Sequence, residues 1–221
     1  MNEAVSRLVL LTPIVTDAET FRPQLEAACA AGGIASVILR LAPADERTLI
    51  NRVKALAPVA QAHDAALVVW FADAPQAGHD IATIAARGGA DGVHVEEPTE
   101  LRLLRERYRD DRIVGAGNLH SRHDAMDAGE VGADYVLFGE PEADGSVPPL
   151  ETVIEQAHWW AEIFETPCIA VAASLDAIEH VAATGAEFVG LGDAVWSHSA
   201  GPAAAVAAAR KALAGMTQAA S

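Results

Sequence analysis

The chain has 221 residues, of which 31 are Asp or Glu and 15 are Lys or Arg, giving a formal net charge of −16 at neutral pH. Such acidity excludes broad binding to nucleic acid or to an anionic membrane surface, because both need a positive field. It leaves room for a small anion held in a local basic or backbone-lined pocket.

In chain order, strand candidates begin near residues 8, 35, 66, 91, 112, 134, 167 and 187. Four are short, nearly continuous apolar runs at 8–12, 66–71, 112–117 and 167–173, as parallel strands buried on both faces require. The other four, at 33–40, 89–95, 132–139 and 185–192, share a pattern. Each follows an alanine-rich helical stretch with a glycine, a short turn and a β-branched or aromatic run. Glycine there supplies the positive φ that closes a helix and releases the chain into a strand. Helical segments fill the gaps, among them 46–60, 99–108, 149–163 and 202–214.

Eight βα units in about 220 residues predict an α/β protein, a single-domain (β/α)8 TIM barrel. The domain is expected to cover 1–221, with its core at about 8–214 and a frayed tail after 215. A doubly wound open sheet is the alternative, with fewer strands and less regular spacing. With 51% hydrophobic and 21% charged residues, the composition is that of a globular protein. Cys29 and Cys168 are the only cysteines and form no Cys-x-x-Cys, so neither a disulfide framework nor a structural zinc site is implied. No apolar run approaches the roughly 18 residues that span a bilayer, and the N-terminus shows no signal-peptide pattern. A cytoplasmic protein without membrane or nucleic-acid partners is the expectation.

A barrel places its chemistry where strands end and βα loops begin. Those positions hold Thr12, Arg40, Trp70 to Asp73, Glu96 and Glu97, Asn118 to His120, Glu140 to Asp144, Ala172 to Ser174, and Gly190 to Asp193. Ala172, Ala173, Ser174, Gly190 and Gly192 are small enough for backbone to approach a phosphate, or they serve packing alone. Arg40 is the only cation among the strand ends, suited to an anion or to an ion pair with Glu96 or Glu97. Ser121 with Asp124 reads as a capping box, and Ser174 stands where an N-cap belongs.

His94 and Glu96 lie two apart on a strand, and with His120 they form a conceivable metal set. His120 alone suits proton transfer near neutral pH. Glu140, Glu142 and Asp144 read as a solvated loop or a cation site, with the loop preferred. Cys168 reads as a buried structural thiol. Trp159-Trp160 reads as packing or a subunit contact, which admits a homo-oligomer.

Three segments resemble the thiamine phosphate synthases and the related thiazole tautomerases. They are Gly89-Ala90-Asp91-Gly92-Val93-His94, Val114-Gly115 followed by His120-Ser121, and Gly132-Ala133-Asp134-Tyr135-Val136-Leu137-Phe138-Gly139. The likeness runs from about residue 8 to 197 in the same order. It implies a synthase of thiamine biosynthesis, a transferase that joins an aminopyrimidine diphosphate to a thiazole phosphate and releases diphosphate. Magnesium and cations absorb the charge that builds on that leaving group. It also implies a phosphate cradle in the seventh and eighth loops and a pocket lined by Trp70, Phe71, Asn118 and Gly139. Arg40 and His120 would act in catalysis, with Asp73, Glu96 and Glu97 as candidate magnesium ligands.

Measured against the family pattern, Arg40 matches the arginine of the second strand, while Ile38 and Ala42 replace its glutamine and lysine. Trp70 and Phe71 stand where Asn-Asp ends the third strand, and Thr99 stands for a second metal aspartate. The run from Gly139 to Gly145 replaces the Thr-x-Thr-Lys loop; Ala172-Ala173 replaces Gly-Gly, and Gly192-Asp193 replaces Val-Ser. The expectation is therefore a synthase-like protein with a divergent active site, its activity altered or lost. The alternatives are a thiazole phosphate tautomerase using His120, or a non-catalytic barrel binding a phosphorylated heterocyclic metabolite.

Overall fold

Strands buried on both faces need a second layer on each side, and the chain supplies it by closing its sheet and wrapping it in helices. The computed structural model describes residues 6–71, 78–108, 111–141 and 146–219. Its strands are β1 (Arg7–Leu11), β2 (Ile34–Leu41), β3 (Ala66–Phe71), β4 (Gly92–Val95), β5 (Ile113–Ala116), β6 (Tyr135–Phe138), β7 (Cys168–Ala172) and β8 (Phe188–Leu191). Each pairs in parallel with the next, and β8 pairs back with β1 to close the barrel. The predicted (β/α)8 architecture is confirmed.

The helices are α1 (Ala18–Ala30), α2 (Glu46–Gln61), α3 (Ile81–Gly88), α4 (Pro98–Tyr108), α5 (Arg122–Val131) and α6 (Leu150–Ile163). A 3-10 turn at Leu175–Ala177 leads into α7 (Ile178–Ala182), followed by α8 (Asp193–Trp196) and α9 (Pro202–Ala219). The last helix runs to Ala219. Among the described residues, no helix is long and apolar enough to cross a membrane.

Alternation along the strands divides the core in two. Val9, Leu11, Ile38, Val68, Trp70, Tyr135, Leu137, Ile169 and Val171 fill the barrel interior. Leu10, Leu39, Leu67, Val93 and Val189 point outward against Leu25, Leu49, Leu56 and Ile178 of the helices. The interior has room for the Tyr135 ring only because Gly115 carries no side chain; a Cβ there would collide with it. Both cysteines are buried and free. Burial, with help from Glu26 and Glu187 respectively, pushes the Cys29 thiol up to about 11 and the Cys168 thiol up to about 12. They are structural thiols, as Cys168 was expected to be. Trp160 is buried and stacks on Phe164 at 4.0 Å, so this half of the tryptophan pair is packing.

The repeated glycine does what its position predicted: Gly89 and Gly132 close α3 and α5 at φ 84° and 94°. The acid two residues later has a role that the sequence did not reveal. Asp91 accepts the Leu67 N–H at 2.7 Å, Asp134 accepts the Val114 N–H at 2.7 Å, and Glu187 accepts the Cys168 N–H at 3.0 Å. Each carboxylate thereby ties the start of one strand to the start of the strand before it. Replacing Asp134 with Ala strands the Val114 N–H and also removes one partner of Arg105. The expected cost is about 1–3 kcal/mol, read as a lower urea midpoint with an unchanged slope.

Candidate active site at the barrel mouth

Helix caps fix the loops at the C-terminal ends of the strands. Asp17, Asp45 and Asp80 accept backbone N–H groups at the starts of α1, α2 and α3. Ser121 and Asp124 form the capping box read from the sequence at α5. On the other side of the mouth, the Trp196 indole donates to the Leu11 carbonyl at 2.7 Å and holds α8 against the end of β1.

The top interior layer is aromatic and charged. The buried Thr12 hydroxyl accepts the Arg40 N–H at 2.9 Å and fixes the end of β2. The Arg40 guanidinium lies 4.8 Å from the centre of the Trp70 ring. Trp70 meets His94 edge-on at 5.0 Å, and His94 stacks on Tyr135 at 5.7 Å. His94 is fully buried, and its Nδ1 lies 3.0 Å from the Tyr135 hydroxyl. Burial first, then Glu140 and Asp134, hold that phenol well above its ordinary range, so it stays protonated.

Acids close this layer. Glu96, just past β4, is half-buried. Burial first and Glu140 second raise its carboxyl above the usual range, against the opposite pull of His94 and Arg40. Glu140 accepts the Asn118 N–H with Oε1, and its Oε2 lies 3.7 Å from His94 Nε2. A cleft of about 190 Å³ opens beside them, lined by Trp70, Phe71, His94, Glu96, Glu97 and Glu100. Glu100 is likewise raised, by burial and then by Asp80 and Glu97. The cleft walls thus gather carboxylates that repel one another and resist ionisation.

The remaining predicted positions separate. Asp73, Glu142 and Asp144 lie outside the described residues. Phe71 lines the cleft yet packs mainly into the outer layer, and Ala172 is buried in that layer too. Ala173 and Ser174 are exposed, and Ser174 occupies an N-cap position without a side-chain cap bond. A Cβ on Gly190 would press on Val171, Ile169 and Leu11, whereas one on Gly192 would meet only the Leu11 carbonyl oxygen, at 3.9 Å. Gly190 therefore serves packing, and Gly192 keeps backbone open at the mouth. Gly139 turns the chain at φ 84° with Val153 against it.

His120 is exposed in the loop beyond β5. Among the described residues, no three His, Cys, Asp or Glu side chains gather to hold a metal ion, which overturns the His94–Glu96–His120 set. The solvated-loop reading of Glu140 is also corrected, since its side chain is only 13% exposed and reaches across the mouth. The one sequence signal for that reach is Gly139, whose positive φ turns the chain inward.

The raised carboxyl of Glu96 gives a signed prediction. Its folded-state pKa exceeds its unfolded value, so ionisation at neutral pH opposes folding, and the penalty vanishes as pH falls below the ordinary carboxyl range. Glu96→Gln should raise the melting temperature at pH 7 and leave it unchanged near pH 3.5, by calorimetry across pH.

The closed barrel and the charged, aromatic cluster at its C-terminal mouth define a (β/α)8 protein with a candidate active site where such barrels carry it. Residues 8–195 match the thiamine monophosphate synthase family, and the chain belongs to that family. The thiamine-phosphate synthase of Rhodospirillum centenum is 41% identical over 204 residues, covering 91% of this chain and 94% of that protein. That of Hyphomonas neptunium is 33% identical over 212 residues, covering 92% and 91%. The thiamine phosphate pyrophosphorylase of Pyrococcus furiosus matches the fold with a TM-score of 0.75, at 22% identity over 96% of this chain and 98% of its own.

Proposed function

We propose that this protein makes thiamine phosphate, joining an aminopyrimidine diphosphate to a thiazole phosphate at the barrel mouth, and that a rearranged diphosphate site lowers its rate. The observation that carries this reading is the meeting of Trp70, His94 and Glu96 around one cleft, with Arg40 over the Trp70 ring, in a chain of this family. Relatives named thiamine-phosphate synthase that cover nine-tenths of the chain support the reaction.

As the bond to diphosphate breaks and the bond to the thiazole ring forms, negative charge builds on the leaving group. Arg40, over the Trp70 ring, is the cation this reading assigns to meet it. Trp70 offers a flat wall for the aminopyrimidine ring. The backbone of Ala173, Ser174 and Gly192 is the cradle for the thiazole phosphate. Glu96 and Glu97 would hold magnesium, which keeps several waters and needs only one or two protein carboxylates beside phosphate oxygens. When bound, the ion would supply positive charge to the departing diphosphate.

The lowered rate follows from the replaced positions. The resemblance described above implies that Ile38, Ala42, Trp70 and Thr99 replace polar or charged contacts of the family pattern, and the reading rests on that implication. Loss of one preorganised charge contact costs about a hundredfold or more. The test is a mass-spectrometric assay for thiamine phosphate with both substrates and magnesium. Product should form above a protein-free blank, depend on magnesium, and fall at least tenfold in Arg40→Ala. The exposed His120→Ala should retain at least half the rate; its loss would assign His120 a proton-transfer role instead. Absence of product at saturating substrates and magnesium would refute the reading.

A further inference from the structure

The lower rim of the barrel, opposite the mouth, is tied at three of its seams and not at the fourth. Gly89, Gly132 and Gly185 are each followed two residues later by the acid that bonds the preceding strand. In the first repeat the same place after Gly33 holds Ala35, which has no carboxylate to give. The β1–β2 ladder also slips in register between Leu8 and Val9.

A cavity of about 510 Å³ lies at this seam, bounded by the start of β1, the turn between α1 and β2, the turn after α2 and the face of α9. Its lining carries two guanidiniums, Arg7 and Arg210. Arg210 is placed rather than loose. It lies across the bare backbone of Gly33, where a Cβ would come within 2.7 Å of its Nε, and it donates to the Ala31 carbonyl at 2.6 Å. That bond uses one of five N–H donors.

Among the described residues, no carboxylate pairs with Arg7 or Arg210, although the chain has 31 Asp and Glu. Asp64 is the one acid among the described lining residues, and His63 is engaged by Glu26 at 2.8 Å. The cavity has the size of a small-metabolite site. Its cations reach it from separate elements, β1 and α9. A tetrahedral phosphate presents acceptors in several directions, whereas a carboxylate presents two oxygens in one plane.

We propose that this cavity at the N-terminal rim is a second anion site, which binds the phosphate group of a small phosphorylated metabolite between Arg7 and Arg210. A bound phosphate would tie the start of β1 to α9 at the seam that lacks a carboxylate. The site is separate from the mouth, where substrates and product are placed, and does not depend on the synthase reading.

The test uses the full chain, 15N-labelled and metal-free, titrated by NMR with inorganic phosphate, inorganic diphosphate and succinate in turn at constant ionic strength. Phosphate or diphosphate should shift the Gly33 amide and the Arg210 Nε–H saturably, and succinate should bind more weakly than either. Arg7→Ala and Arg210→Ala should each weaken binding about tenfold, read at the Gly33 amide. Arg210→Lys, which keeps the charge and loses the planar fork, should fall between. Arg47→Ala removes an exposed cation of α2 outside the cavity and should bind as the parent does. Melting curves establish that each variant is folded.

Absence of saturation with both phosphate probes would overturn the proposal. So would equal weakening in Arg47→Ala and Arg210→Ala, since diffuse charge would then draw the anion. Shifts confined to the mouth would place the anion elsewhere, and succinate binding as tightly as phosphate would refute the ligand class. No readout involves turnover, so failure here is distinguishable from failure of the synthase assay.

Discussion

Everything at the mouth depends on how the opposite rim is tied. Asp91, Asp134 and Glu187 each carry a carboxylate from the start of an even-numbered strand to a backbone N–H of the first or second residue of the strand before it. A closed parallel barrel leaves such N–H groups at its lower edge beneath the helix-to-strand turns, where an unpaired donor costs about 1–3 kcal/mol. Because each tie joins neighbours in pairs, it fixes their stagger as well as their contact. The upper ends of β3 and β4, and of β5 and β6, are therefore delivered at set heights, and these strands carry Trp70, His94 and Tyr135.

Above that base, glycines decide what the interior can hold. Gly115 admits the Tyr135 ring, and Gly117 admits the approach of Glu140 to His94. The resulting layer is costly to fold, with two acids, a histidine and an arginine partly withdrawn from water and Glu96 resisting ionisation. Such concentration of unfavourable charge is typical of a site kept for chemistry rather than for stability. Under the proposed function, the mouth of this acidic protein meets an anionic substrate through Arg40 and backbone amides.

The barrel was legible in the sequence because its signals are local. Apolar runs and helix-closing glycines placed all eight strand starts within one residue of those observed, and Ser121 with Asp124 announced a cap. Family membership was legible for the same reason, since its Gly-Ala-Asp segments are contiguous. The site was only partly legible, because reach and side are not local. Alternation assigns Phe71 and Ala172 to the outer layer once the register is known, but strand ends on a list all look alike. Gly190 and Gly192 differ only in parity, yet one is packed from three sides and the other open. Glu140 read as a loop acid because Gly139 before it signals a turn without telling that the side chain reaches past Gly117 to His94. The ties of Asp91, Asp134 and Glu187 join residues about 20 apart in the chain, so the local motif around each acid carries no sign of them.

The central claim is that the C-terminal mouth, with Arg40 and Trp70 at its centre, is where a phosphorylated heterocycle binds. The most direct measurement is a crystal structure grown with saturating thiamine phosphate, diphosphate and magnesium. The account predicts the aminopyrimidine ring against Trp70, the product phosphate on the backbone of Ser174 and Gly192, and Arg40 in contact with an anion. Product ordered at the opposite rim, or an empty mouth under those conditions, would contradict it.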